Sequence, residues 1–93
     1  MRSITRQAIS AFNNNQNFSL SNTVVKADCT GTYMFLFGNL IARKINNRVQ
    51  VTLCGYNTNT IRERLSGLCN IKSKKGQVYI NNNPVSSTEW IQL

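Results

Sequence analysis

The chain has 93 residues, with 11 Lys and Arg against 3 Asp and Glu and no His, for a net charge of +8. A chain of this size buries only about 60–65% of its unfolded surface, which allows one modest core and excludes a second domain or a deep substrate cleft. So large a cationic excess, with so few acids to neutralise it, points to an acidic partner.

Taken in chain order, Ile4, Ala8, Ala11 and Phe12 recur at helical spacing. They predict an amphipathic helix over residues 3–13, with Ser3 as N-cap and the Asn13-Asn14-Asn15 run as its end. After a polar segment from Asn13 to Asn22, residues 23–28 read as a strand, and Thr30-Gly31 as a tight turn into a second strand over 32–37. That second run is apolar from Tyr33 to Phe37, as in a central strand covered on both faces. Gly38-Asn39 is expected to bulge or bend it before residues 40–45 continue.

Asn46-Asn47 suits a hairpin turn with positive φ. In the strand that follows, Val49, Val51 and Leu53 face inward, and Arg48, Gln50 and Thr52 outward. Thr60-x-x-Glu63 has the form of a capping box, and opens a short helix with Ile61, Leu65 and Leu68 on one face and Arg62 and Arg64 on the other. Residues 71–75, Gly76 and residues 77–80 predict a basic hairpin, and residues 88–93 a last short edge around Trp90. The fold expected for residues 1–93 is one small α+β domain: a small antiparallel sheet, a three-stranded meander plus a C-terminal hairpin, packed against an N-terminal helix and a short second helix.

No run approaches the ~20 apolar residues of a membrane span. Asp28, Glu63 and Glu89 fall in three different elements, and without His they offer no acid–base pair, so an enzyme is not expected. The three cysteines, Cys29, Cys54 and Cys69, are widely spaced. They read as reduced, small buried hydrophobes and not as metal ligands, and no cofactor or metal is expected.

The basic residues carry the functional signal. They fall into three groups: Arg43, Lys44 and Arg48 around one hairpin turn; Arg62 and Arg64 on the second helix; and Lys72, Lys74 and Lys75 at another turn. Converging on one face, they would bind phosphates by charge and counterion release, with Tyr56 and Tyr79 available for stacking. Tyr33, Phe35 and Phe37 superficially resemble the sheet aromatics of RNA-recognition domains, but lack the basic-Gly-aromatic-Gly order; core packing is their expected role. The order helix, three strands, helix resembles double-stranded-RNA-binding domains. Those open the second helix with lysines, where this chain has Thr60-Ile61-Arg62-Glu63.

Three segments, Gly38-Asn39-Leu40-Ile41-Ala42, the stretch from Gly55 to Leu68, and Gly76-Gln77-Val78-Tyr79-Ile80-Asn81, resemble a family of small tailed-bacteriophage proteins. The resemblance implies a phage-encoded protein in the cytoplasm of the bacterial host, and no biochemical role. Two readings follow: a non-enzymatic protein binding DNA or RNA through a Lys/Arg patch with little sequence specificity, or a protein-binding inhibitor of a host defence system, anti-CRISPR-like, acting by steric blocking. Either could act as a monomer or a homodimer.

Overall fold

The structure, a computed structural model, describes residues 2–93. Helix α1 spans Ser3–Asn13 and buries Thr5, Ala8, Ala11 and Phe12. Ser3 is not its cap: Arg2 holds the extended N-cap position, without a side-chain capping bond. The asparagine run ends the helix as expected. Asn15 adopts φ 55, Gln16 N–H donates to the Ala11 carbonyl at 2.9 Å and Asn15 N–H to the Phe12 carbonyl at 3.4 Å. This is the left-handed closure in which asparagine substitutes well for glycine.

Five strands follow: β1 (Phe18–Leu20), β2 (Thr23–Ala27), β3 (Thr32–Leu36), β4 (Asn39–Ile45) and β5 (Arg48–Val51). After helix α2 (Asn59–Leu65) come β6 (Ile71–Lys74), β7 (Gln77–Ile80), β8 (Asn83–Val85) and β9 (Ile91–Gln92). They form a six-stranded sheet in the order β1-β2-β3-β4-β5-β9 and a three-stranded sheet β6-β7-β8, with every pairing antiparallel. The α+β class is as expected, and the sheets are larger than the meander and hairpin read from sequence.

The difference has three local causes. Gly38-Asn39 is not a bulge within one long strand. Phe37 and Gly38 take φ 51 and 80, so the chain reverses there in a two-residue turn of the kind whose twist matches paired strands. The bulge lies instead in β4, where the register passes from Met34↔Ala42 to Phe35↔Leu40, and it lets the adjacent Ile41 and Ala42 both point into the core. Strands β1 and β8 were missed because they are edge strands of three residues each, formed by backbone pairing without an alternating pattern. Asn46-Asn47, Lys75-Gly76 and Asn81-Asn82 all make turns with positive φ at both positions.

Helix α1 lies across β1, β2 and β3, and α2 contacts α1, β4 and β6. The core between them gathers Ala8, Phe12, Val25, Met34, Leu36, Ile41, Val51, Leu53, Ile61, Leu65, Val78 and Ile80. Thr52 is buried and not outward: alternation ends with β5 at Val51, and the Thr52 hydroxyl accepts the Cys54 N–H at 3.2 Å. Helix α2 starts one turn-residue pair earlier than its sequence signature, since Thr58, and not Thr60, accepts the Ile61 N–H. Glu63 is therefore free of the capping box and accepts the Arg2 N–H at 2.9 Å. Cys29 and Cys54 are exposed and Cys69 is half-buried, all as free thiols, so only Cys69 approaches the buried role expected of the three.

Candidate nucleic-acid interface

Both helices cover the same face of the six-stranded sheet, the one that carries Val25, Met34, Leu36, Ile41 and Val51. Alternation turns the neighbouring residues to the opposite, helix-free face. Pairing aligns them across five strands: Lys26 opposite Tyr33, Tyr33 opposite Arg43, Arg43 opposite Gln50, and Gln50 opposite Gln92. At about 4.8 Å per strand gap this row is about 19 Å long. A second row sets Ser19, Val24, Phe35 and Leu40 side by side.

The cations of this face lie against its rings. Lys26 Nζ is 5.9 Å from the Phe35 ring centre, and the Arg43 guanidinium is 4.0 Å from the centre of Trp90, within the range of cation–π attraction. Arg43 Nε also donates to Gln50 Oε1 at 2.7 Å, which fixes its plane. Arg48, exposed and of the same parity as Gln50, lies on the same face beside this row, towards the β4–β5 turn. There Arg43, Ile45, Asn46, Arg48, Gln50 and Gln92 line a shallow depression of about 710 Å³.

The three-stranded sheet presents a second cationic face. Lys72, Tyr79 and Pro84 lie in register across it, and Lys74 opposite Gln77; Lys75 sits in the connecting turn at φ 53. The other face of this hairpin sends Val78 and Ile80 into the core. Lys72 and Lys74 are exposed and Tyr79 is half-buried.

Two of the basic residues expected to bind phosphate are held by the chain itself, Arg64 in the interior and Lys44 at the end of a helix. Arg64 is 2% exposed; its Nε donates to Thr23 Oγ1 at 2.9 Å, one terminal nitrogen to Thr5 Oγ1 at 2.8 Å and the other to Asn22 Oδ1 at 3.3 Å. Burial pushes its basicity down from the usual arginine range. Three residues after Ile61 and next to Leu65, Arg64 falls on the buried face of α2, and its head is satisfied there by two hydroxyls and an amide oxygen. Lys44 reaches back to the end of α1, where Nζ donates to the Phe12 and Asn13 carbonyls at 2.9 and 3.1 Å, a cation placed where the helix leaves carbonyls unpaired. Arg62 is half-buried and donates to the side-chain oxygens of Asn57 and Asn59, while Asn57 Nδ2 donates to Ser73 Oγ at 3.3 Å. Tyr56, in the loop before α2, is 54% exposed. The basic residues predicted to bind phosphate thus divide among two sheet faces, helix α2, the end of α1 and, for Arg64, the interior.

All three carboxylates are engaged by hydrogen-bond donors of the chain itself. Asp28 Oδ1 accepts from the Thr30 hydroxyl, the Thr30 N–H and the Gly31 N–H, and the Thr30 hydroxyl bond leads in holding its carboxyl below the ordinary value. The Arg2 N–H does the same for Glu63. Glu89 Oε1 accepts the Ser86 N–H at 2.9 Å. Among the described residues no three metal-ligating side chains come together, and no helix is long and apolar enough to cross a membrane.

A family model described as Kyanoviridae Gp96 protein matches residues 1–92. The chain belongs to this family of phage proteins. No curated protein and no solved structure matches it. In this Gp96-family chain, sequence reasoning passed over Lys26 and Trp90 and assigned Tyr33 and Phe35 to the core. The signal was the shared parity of Val24 with Lys26 and of Tyr33 with Phe35, but the pairing that joins them to Arg43 is not written in the chain.

Proposed function

We propose that this phage protein is a non-enzymatic nucleic-acid-binding protein, acting in the cytoplasm of the bacterial host and gripping the phosphate backbone with little sequence specificity. The observation that carries this reading is the arrangement of charge. The carboxylates are occupied by donors of their own chain, while Lys72, Lys74, Lys75, Arg43 and Arg48 gather on two sheet faces with Tyr79 and Trp90 among them. Cations without local counter-charges attract a polyanion and release its counterions. Arg64 takes no part, because it is buried, nor does Lys44, whose ammonium is held by the two carbonyls that end α1.

The test is binding to labelled DNA and RNA, single- and double-stranded, across a salt series. Binding should weaken steeply with salt. Lys72→Glu, Lys74→Glu and Lys75→Glu together should lower the log–log slope by about 2.7 on duplex, about 0.9 per lost phosphate contact. Absence of binding at low salt refutes the proposal.

A second reading, an inhibitor that blocks a host defence complex by contact, is favoured by the far end of the β3–β4 hairpin. Phe37 is 70% exposed and shares an apolar hollow of about 350 Å³ with Leu36, Asn39, Tyr56, Thr58, Thr60 and Ile61. On this reading Phe37→Ser with Tyr56→Ser abolishes protection of phage from a host defence, and the lysine triple variant retains it.

A further inference from the structure

We propose that the helix-free face of the six-stranded sheet is a stacking platform that makes single-stranded nucleic acid the preferred ligand. This rests on the nucleic-acid reading above and goes beyond it by naming the strand state and the residues that select it.

An antiparallel sheet with helices on one side ordinarily turns polar residues to the other. Here the open side carries Val24, Tyr33, Phe35 and Leu40 in the two aligned rows described above, with the Trp90 ring held against Arg43 of the first row, all of them half-exposed. Burial on the helix side does not account for them. The rings alternate with cations: Lys26 beside Phe35 and Arg43 against Trp90. A guanidinium plane and an aromatic ring both offer a flat surface to a base, and a neighbouring ammonium meets the phosphate that follows.

Strand state follows from access to those surfaces. In a duplex the faces of the bases are stacked on one another and only edges and phosphates are presented; in a single strand the faces are free to lie on aromatic side chains. The row of about 19 Å is long enough for a few bases side by side across the sheet. Lys26 stands at one end of the platform and Arg48 at the other, so the backbone meets a cation at each end. A protein partner would need a complementary acidic and apolar surface. A single strand supplies charge and flat apolar faces in every nucleotide.

The chain contains a single Trp, and it lies on this platform, so its fluorescence reports occupancy of the site directly. Purified protein is titrated with oligothymidylate, oligouridylate and a hairpin duplex of equal phosphate number, following Trp90 emission and ligand anisotropy together. The single strands should quench Trp90 and the duplex should not. Tyr33→Leu and Phe35→Leu should each weaken single-strand binding by about 5- to 150-fold without changing duplex binding. Tyr33→Phe and Phe35→Tyr, which keep the rings, should retain single-strand affinity. If single strands bind without quenching Trp90, and the Leu variants bind them as the parent does while the lysine triple variant loses both ligands, the platform is refuted and the phosphate-binding reading stands. If neither ligand binds at low salt, both are refuted.

Discussion

The interior position of Arg64 leads to a quantitative expectation. Its guanidinium has three hydrogen-bond acceptors, Thr23 Oγ1, Thr5 Oγ1 and Asn22 Oδ1, and the Thr23 hydroxyl donates in turn to Asn22 Oδ1 at 2.8 Å. Thr5, Thr23 and Arg64 are all buried. Thr5→Val keeps the shape of the side chain and removes one acceptor, leaving a charged donor buried without a partner. A bond to a charged group contributes about 1.5–3 kcal/mol, so Thr5→Val should destabilise by about 2 kcal/mol. With a total stability of about 5–14 kcal/mol for a chain of this length, that is a large fraction. It corresponds to a fall of about 8–16 °C in Tm.

In an Arg64→Met background the same Thr5→Val change should be close to neutral, because the donor it would strand has gone. The double-mutant cycle, read by urea and thermal unfolding under circular dichroism, should therefore give a coupling of about 1.5–3 kcal/mol. Additivity within about 0.5 kcal/mol would refute the account of Arg64 as the centre of a buried network. A second readout separates this role from a surface one: under conditions where Arg64→Met remains folded, its affinity for nucleic acid should equal that of the parent chain.

Glu63 and the thiols yield two further expectations. The carboxyl of Glu63 lies below its ordinary value of 4.5 in the folded chain, held there first by the Arg2 N–H. The unfolded chain therefore binds more protons between the folded value and about 4.5, and the stabilisation is present above that pH and lost as pH falls through the folded value. The stability gap between the parent and Glu63→Gln, measured by urea midpoint, should close below about pH 4.5; a constant gap down to pH 2.5 would contradict it. Burial pushes the Cys69 thiol up to about 11, and its Sγ donates to the Leu65 carbonyl at 3.6 Å, whereas Cys29 and Cys54 are exposed. A thiol reagent at pH 8 should modify Cys29 and Cys54 in the folded protein and Cys69 only after denaturant is added; rapid modification of Cys69 in the folded state would contradict this placement.

Much of the local structure was legible in the chain because it depends on nearest neighbours. The helical spacing of Ala8, Ala11 and Phe12 set α1, and the asparagines ended it and closed the β4–β5 turn through their tolerance of positive φ. The basic hairpin at Lys72–Tyr79 is as read. Thr58 and Thr60 are both plausible caps by type, and the choice between them depends on where the helix can dock. That shift moved Glu63 out of a capping box and into contact with the Arg2 N–H.

What charge a residue carries is a property of the sequence, but whether that charge meets solvent is decided by the partners the fold brings to it. Arg62 and Arg64 carry the same charge two residues apart in one helix, and only Arg64 shares the helical face of Ile61 and Leu65. Only the docking of α2 against α1 and β2 puts Thr5, Thr23 and Asn22 around one of them. Lys44 is likewise claimed by the end of a helix more than thirty residues away. The same holds for the aromatics: Tyr33 and Phe35 are apolar by type wherever they occur, and it is strand register that aligns them with Lys26 and Arg43 on a face no helix covers, while the pairing of β9 with β5 brings the adjacent Trp90 against Arg43. Composition determined that this protein is cationic and small-cored; long-range pairing decided which of its cations and rings are left for a partner.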